Sequence, residues 1–207
     1  LSSNQKQHIM KKLLFIPMLF ACYLGMGQGS LKIGDSYNGG IVAYILVPGD
    51  PGYDSNTQHG LIAAAADEPN YIRWYSGAYN DPTGSTATAI GTGLANTIKI
   101  IQTSDDKLNQ MYLSITDYAA GLATAHGGGG WAGWYLPSKD ELNKLYINRA
   151  AIGGFAEGWW YWSSTEDANN SYAWCQWFRG SGSPTQNGLQ TYQGKGETLN
   201  VRAVKSF

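Results

Sequence analysis

Few residues in this 207-residue chain offer reactive chemistry. Downstream of residue 28 there are two histidines, His59 and His126, and one cysteine, Cys175. No His-x-x-x-His or Cys-x-x-Cys spacing is present to hold zinc. There is no Gly-x-Ser-x-Gly elbow and no phosphate-cradling loop that runs into a helix. A nucleophilic Cys175 would need a histidine or a basic helix end beside it, and its strand-like setting between Trp174 and Gln176 predicts a packed thiol. His126 precedes a run of glycines (127–130) at the end of an expected helix, where the helix dipole suits an imidazole. His59 falls in a polar loop and reads as a solvated side chain. Asp50, Asp54 and Asp67 are spaced for turns rather than for an EF-hand. A calcium site from Asp50, Asp54 and backbone carbonyls is conceivable, but Asx turns explain the spacing more simply. Glu166 and Asp167 could be imagined as acid and base, yet sequence neighbours seldom face one another, so a solvated turn is expected. The expectation is therefore no catalytic residue, no metal ligand and no cofactor.

Recognition chemistry is better represented. Of 8 tryptophans only Trp74 precedes residue 131; the others are Trp131, Trp134, Trp159, Trp160, Trp162, Trp174 and Trp177. Aromatic rings offer a large contact face at low entropic cost, and they also build cores. Trp134, Trp162 and Trp174 have alternating or apolar neighbours and are expected inside. Gln176, Trp177 and Arg179 are the better surface candidates. The stretch "YWSSTEDANNSYAWCQWFRGSG" interleaves these rings with turn formers, as a rigid frame under an exposed surface would.

These residues must be positioned by short elements. "GGIVAYILV" reads as a strand buried on both faces, and "PGDPGYDSNTQHG" as a loop. "LIAAAA" is a short strand or a helical turn, "YIRWYSG" another short strand, "NDPTGSTATAIGTG" a loop and "ANTIKIIQ" a short helix. Ser114 and Asp117 form a weak capping box before "ITDYAAGLATAHG", with Gly127 placed to end that helix. Ser138 and Glu141 form a Ser-x-x-Glu box, Pro137 blocks backward extension, and Leu142, Leu145 and Tyr146 make an apolar stripe. "WWYWSST", "YAWCQWF", "GLQTYQG" and "TLNVRAVKSF" read as strands. Short strands and glycine-rich loops around two or three helices predict one α+β domain.

Met10 opens "MKKLLFIPMLFACYLGMGQG", two lysines followed by an apolar run and small residues. That is the layout of a signal peptide over residues 10–28, with residues 1–9 an upstream overhang and 29–207 a single domain. Cys22 in "LFAC" loosely matches a lipoprotein box, with Phe20 an awkward member, so a lipid anchor is the one membrane attachment considered. Export to the cell surface, outer membrane or periplasm is the expectation. Loss of Lys6, Lys11 and Lys12 with the leader takes the net charge from −1 to −4. An acidic balance argues against nucleic acid as partner. Cys175 would then be the sole cysteine, so the core, not a disulfide, must hold the fold.

The ordered set "WAGWYLPSKDELNKLY", "YWSST", "AWCQWF" and terminal "VRAVKSF" resembles the Lcl C-terminal-like domain family, named for a bacterial collagen-like adhesin. Trp134, Leu136, Pro137, Ser138, Glu141, Leu142, Tyr161–Thr165, Ala173, Trp174, Val201, Arg202 and Val204 match its pattern. "IGDSYNGGIVAYI" and "QHGLIAA" resemble its N-terminal part, so the likeness spans nearly all of 29–207. The resemblance implies a C-type-lectin-like fold of the formylglycine-generating-enzyme type, with short twisted antiparallel strands and the N- and C-terminal strands paired. It implies binding of a surface protein or glycan rather than catalysis, since the generating enzyme depends on cysteines that this chain does not match. Related exported proteins are targets of diversity-generating retroelements, which vary a C-terminal segment; a fixed binding domain explains these residues equally well. By the resemblance, the recognition surface spans about Asp167–Thr198, with Asn169, Asn170, Tyr172, Gln176, Trp177, Arg179, Gln190, Tyr192 and Gln193 as ligand-binding candidates. An enzyme sharing the fold, built on His59 or Cys175 with carboxylates, and a structural subunit of a surface assembly are the alternatives.

Overall fold

The computed structural model describes residues 30–69, 71–111, 114–127, 132–179 and 187–207. The expected leader, Cys22, Trp131 and glycines 128–130 lie outside the described residues. The first sheet is formed by Ser36–Tyr37 (β1), Gly40–Ile45 (β2), Gly60–Ala63 (β3) and the C-terminal Val204–Ser206, in that order. The second contains Trp159–Glu166 (β4), Tyr172–Phe178 (β5) and Gln190–Gly194 (β6), and Val204–Ser206 is accordingly β7. Every ladder in both sheets is antiparallel. The domain is α+β, as composition and pattern predict.

Local chemistry explains the first hairpin. Tyr37 pairs with Gly40, leaving Asn38 and Gly39 as a two-residue turn with φ of 45° and 86°. An Asn-Gly turn with both φ positive matches the right-handed strand twist. The apolar run of β2 lies beside a fully buried β3, and β3 in turn pairs with β7, Leu61 opposite Ser206. The terminal strand therefore shares a sheet with β1 and β2 but pairs with neither, which corrects the expected direct pairing of the two chain ends. Gly60 makes this possible. It exchanges both backbone hydrogen bonds with Phe207 at 3.1 Å, and a Cβ there would lie 2.1 Å from the Tyr44 carbonyl oxygen.

The segment before β7 stitches the two sheets together. Leu199 bridges Ile72, Asn200 lies parallel to Tyr161 of β4, the Ala64 N–H donates to the Ala203 carbonyl, and Val204 bridges Tyr135. "YIRWYSG" contributes only the Ile72 bridge, not a strand. Its backbone turns instead to tertiary partners, the Trp74 N–H to Lys195 and the Arg73 carbonyl to Ala119. One buried cluster gathers Trp74, Tyr118, Trp134, Trp162 and Cys175; a second gathers Tyr44, Tyr135, Leu145, Tyr161 and Phe178.

Among the described residues, four helices accompany the sheets: Gly93–Met111 (α1), Ala119–Thr124 (α2), Lys139–Ile147 (α3) and Arg149–Ile152 (α4). The helix expected over "ANTIKIIQ" is much longer, at 19 residues. The Ser114–Asp117 capping box forms, but it caps a single 3-10 turn. Tyr118 then goes extended and buried, and the Ala119 N–H donates to Arg73 across the core, so the helix restarts at Ala119. It ends at Thr124, ahead of Gly127. The second box, Ser138 with Glu141, caps α3 as predicted. Among the described residues, no helix is long and apolar enough to cross a membrane.

Candidate functional site

The β5–β6 ladder carries a cluster of three partly exposed aromatic rings. Its register sets Tyr172 opposite Gly194, Trp174 opposite Tyr192 and Gln176 opposite Gln190, and directly opposed residues share a face. Tyr172 and Tyr192 meet edge to face at 5.3 Å between centroids, and Trp174 meets Tyr192 at 5.9 Å. Tyr192 is 50% exposed on this edge strand, with Tyr172 and Trp174 half-buried around it. The first turn of α3 completes the face. Lys139 sets its ammonium 3.3 Å from the Trp174 ring centre, a cation–π contact. Its carbonyl accepts the Gln190 side-chain amide at 2.8 Å, and its N–H donates to the Thr165 hydroxyl. Rings with a cation and amides at their rim can stack on a planar or sugar-like face and hydrogen-bond its edges.

Beside Tyr172 lies a shallow groove of about 400 Å³ lined by Tyr79, Ser171, Tyr172, Lys195, Gly196 and Glu197. Tyr79 stands half-exposed over Gly196, where a Cβ would come within 2.7 Å of the ring.

The expected site residues separate on this frame. Tyr172, Tyr192 and Gln190 come together. Gln176 does not reach the surface: it is fully buried, its amide donating to Asn143 at 2.8 Å and to the Gly188 carbonyl at 3.0 Å. Packing of α3 over the middle of β5 covers that position. Trp177 lies on the opposite face, half-buried and edge-on to Trp160 at 5.0 Å, and Gln193 is opposite the inward Ala173 on that same face. Asn169 and Asn170 are exposed in the β4–β5 turn, where the Asn169 side chain accepts the Ser171 N–H. Arg179 is exposed at the far end of β5.

Trp134 and Trp162 are core residues, but Trp174 is not. Strand alternation sends Ala173 and Cys175 inward and Trp174 to the face of Tyr172. That parity was visible in "YAWCQWF" and is the signal the neighbour argument passed over. Lys139 had no such signal, because its contact crosses from a helix to a strand 35 residues away.

The face rests on buried charge. Glu166 is not in a solvated turn: it accepts the Thr83 and Gly84 N–H groups and pairs with Lys195 at 2.5 Å, both side chains enclosed. Lys195 also donates to the Asp81 carbonyl at 2.7 Å. Asp67 likewise exceeds a turn role. It accepts from the Arg202 guanidinium at 2.8 Å, the Tyr161 hydroxyl at 2.5 Å and the Ala156 N–H at 3.1 Å. His126 has a specific partner rather than a helix dipole alone, the Glu68 carboxylate at 2.6 Å, with Trp134 edge-on to the imidazole. Burial raises the Glu68 pKa above the usual carboxylate range against the opposing pull of His126.

The remaining reactive residues stay apart. Cys175 is buried in the core, and that burial pushes its thiol well above the ordinary range. The His59 Nδ1 lies 3.2 Å from the Phe207 carbonyl oxygen. Asp50 accepts the Val47 N–H and the Tyr44 hydroxyl, and Asp54 accepts the Asn56 N–H, both in turns. Among the described residues, no group of three or more His, Cys, Asp or Glu side chains is placed to hold a metal.

No protein-family model matches the chain, and no curated protein matches it.

Proposed function

We propose that this chain is an exported ligand-binding domain of the C-type-lectin-like kind, and that it recognises a surface protein or glycan through the outward face of β5 and β6. The observation that carries this reading is the cluster of Tyr172, Trp174 and Tyr192, with the Lys139 ammonium over the Trp174 ring. A half-exposed ring cluster on a short polar edge strand costs solvation without adding to the core, as contact surfaces do. The buried Glu166–Lys195 pair fixes the strand ends around it, so side chains on the face can differ without disturbing the scaffold. Placement of β7 in one sheet with β1 and β2, and the bridging segment at 199–204, support the lectin-like reading of the fold.

The test is a glycan and protein binding screen with the folded domain, followed by Tyr192→Ala and Lys139→Ala. Binding that drops at least about tenfold in Tyr192→Ala with an unchanged melting temperature supports the face, because contact aromatics carry a large share of binding energy. A ligand whose affinity is indifferent to both substitutions places recognition elsewhere. Deep sequencing of the gene's 3′ end addresses diversification separately. Variation at Tyr172, Gln190 and Tyr192 with buried Trp162 and Gln176 constant would establish it, and a uniform 3′ end in a large population would remove it.

A further inference from the structure

A second concavity lies at the opposite end of β5, away from the aromatic face. It encloses about 360 Å³ between α4, the glycine turn that follows it and the end of the strand. Its charged lining is Arg149, Arg179 and Glu157, and its apolar wall is Phe155 and Phe178, whose rings lie 4.8 Å apart. Two arginines against one glutamate leave a single positive charge. Arg202 lies behind Phe155, its guanidinium 4.0 Å from the ring centre, and is neutralised by Asp67.

The glycine turn adds directed donors. Gly153 and Gly154 both have positive φ, 73° and 70°. Their carbonyls are both taken by the buried Arg202 guanidinium. Peptide bonds here are trans and planar, so each N–H points opposite its carbonyl. The N–H groups of Gly154 and Phe155 are therefore turned away from Arg202, and both residues line the cleft. Consecutive outward N–H groups form a concavity that suits an anion. Arg149 is held in place by its bond to the Tyr146 carbonyl at 2.8 Å and its stacking on the Tyr146 ring, which leaves the rest of its fork to the cleft.

We infer that this cleft binds a carboxylate carried on an apolar body, the carboxylate on the Gly154 and Phe155 N–H groups and the arginines, and the apolar part against Phe155 and Phe178. Arginine forks match a carboxylate bidentately. Glu157 on the rim disfavours a dianion such as a phosphate monoester, and the volume suits one amino-acid-sized group. This site is independent of the β5–β6 face, so either can fail without the other.

The experiment is calorimetric titration of the folded domain with three probes: N-acetylphenylalanine, its carboxamide, and phenylacetate. The acid is expected to bind in the millimolar range, with the carboxamide at least about tenfold weaker. Arg179→Gln, exposed and so harmless to folding, is expected to weaken the acid at least about fivefold, and Glu157→Gln to tighten it. Acetylphenylalanine binding more tightly than phenylacetate identifies a chain terminus as the natural ligand, and equal binding identifies a free organic acid. Carboxamide binding equal to acid, an unchanged affinity in Arg179→Gln, or no heat with any probe up to about 10 mM overturns the inference.

Discussion

Replacing Lys195 by methionine isolates the contribution of the buried ion pair beneath the aromatic face. The Lys195 ammonium bonds Glu166 at 2.5 Å and the Asp81 carbonyl at 2.7 Å, and it lies 5.0 Å from the Trp74 ring centre. Burial pulls its pKa below the ordinary lysine range even against the opposing pull of Glu166 and Asp81. Methionine keeps the stem and removes the charge, so Glu166 is left enclosed with only the Thr83 and Gly84 N–H groups. Removing one partner of a buried pair costs about 3–5 kcal/mol, and the two remaining amide donors set this case near the low end. Loss of the bond to Asp81 adds about 1 kcal/mol, giving a total of about 4 kcal/mol. At about 2–4 °C per kcal/mol for a domain of this size, the melting temperature should fall by about 8–16 °C. Lys195→Met with Glu166→Gln should be less destabilised than Lys195→Met alone, because no uncompensated charge remains. Urea unfolding followed by tryptophan fluorescence reads both variants. A loss below about 1 kcal/mol for the single variant, or a double variant as unstable as the sum of its parts, would refute the reasoning.

Two further outcomes follow from buried acids. Cys175 should resist a water-soluble thiol reagent in the native domain and react fully in denaturant, at a rate set by global opening; fast native labelling would contradict its placement. Burial and Asp50 raise the Tyr44 hydroxyl to about 12, and burial raises Tyr135 and Tyr161 further. Folded values above the unfolded value of 10.0 mean that this stabilisation is complete below pH 10.0 and is lost as pH rises through the folded pKa values. Denaturant midpoints should therefore decline above about pH 10, with exposed tyrosines such as Tyr71, Tyr79 and Tyr192 ionising in the folded domain and a further share of tyrosinate absorbance, from the buried rings, appearing only with unfolding.

Where signals were local, the sequence was sufficient. Ser138, Glu141 and Pro137 start α3 whatever surrounds them, because a cap satisfies donors within its own turn. The strand-favouring aromatics of "WWYWSST" and "YAWCQWF" specify strands, and Asn38-Gly39 is a local hairpin signal of the same kind. The Ser114 box was equally legible, yet the helix it announced broke at Tyr118, whose ring belongs to a core built by distant residues. Propensity over a few residues loses to a buried ring and a cross-core hydrogen bond.

The residues of this chain by themselves determined an α+β composition, both capping boxes and the strands at β2, β4 and β5. Tertiary structure alone decided which side chains face outward and which charges are enclosed. Glu166 reads as a turn residue until Lys195, Thr83 and Gly84 close around it. Gln176 reads as a surface amide until α3 covers it, and Trp174 as core until Lys139 meets it from that helix. Burial is a property of packing between segments far apart in the chain, and a charge or ring carries no local mark of the partner that will bury it.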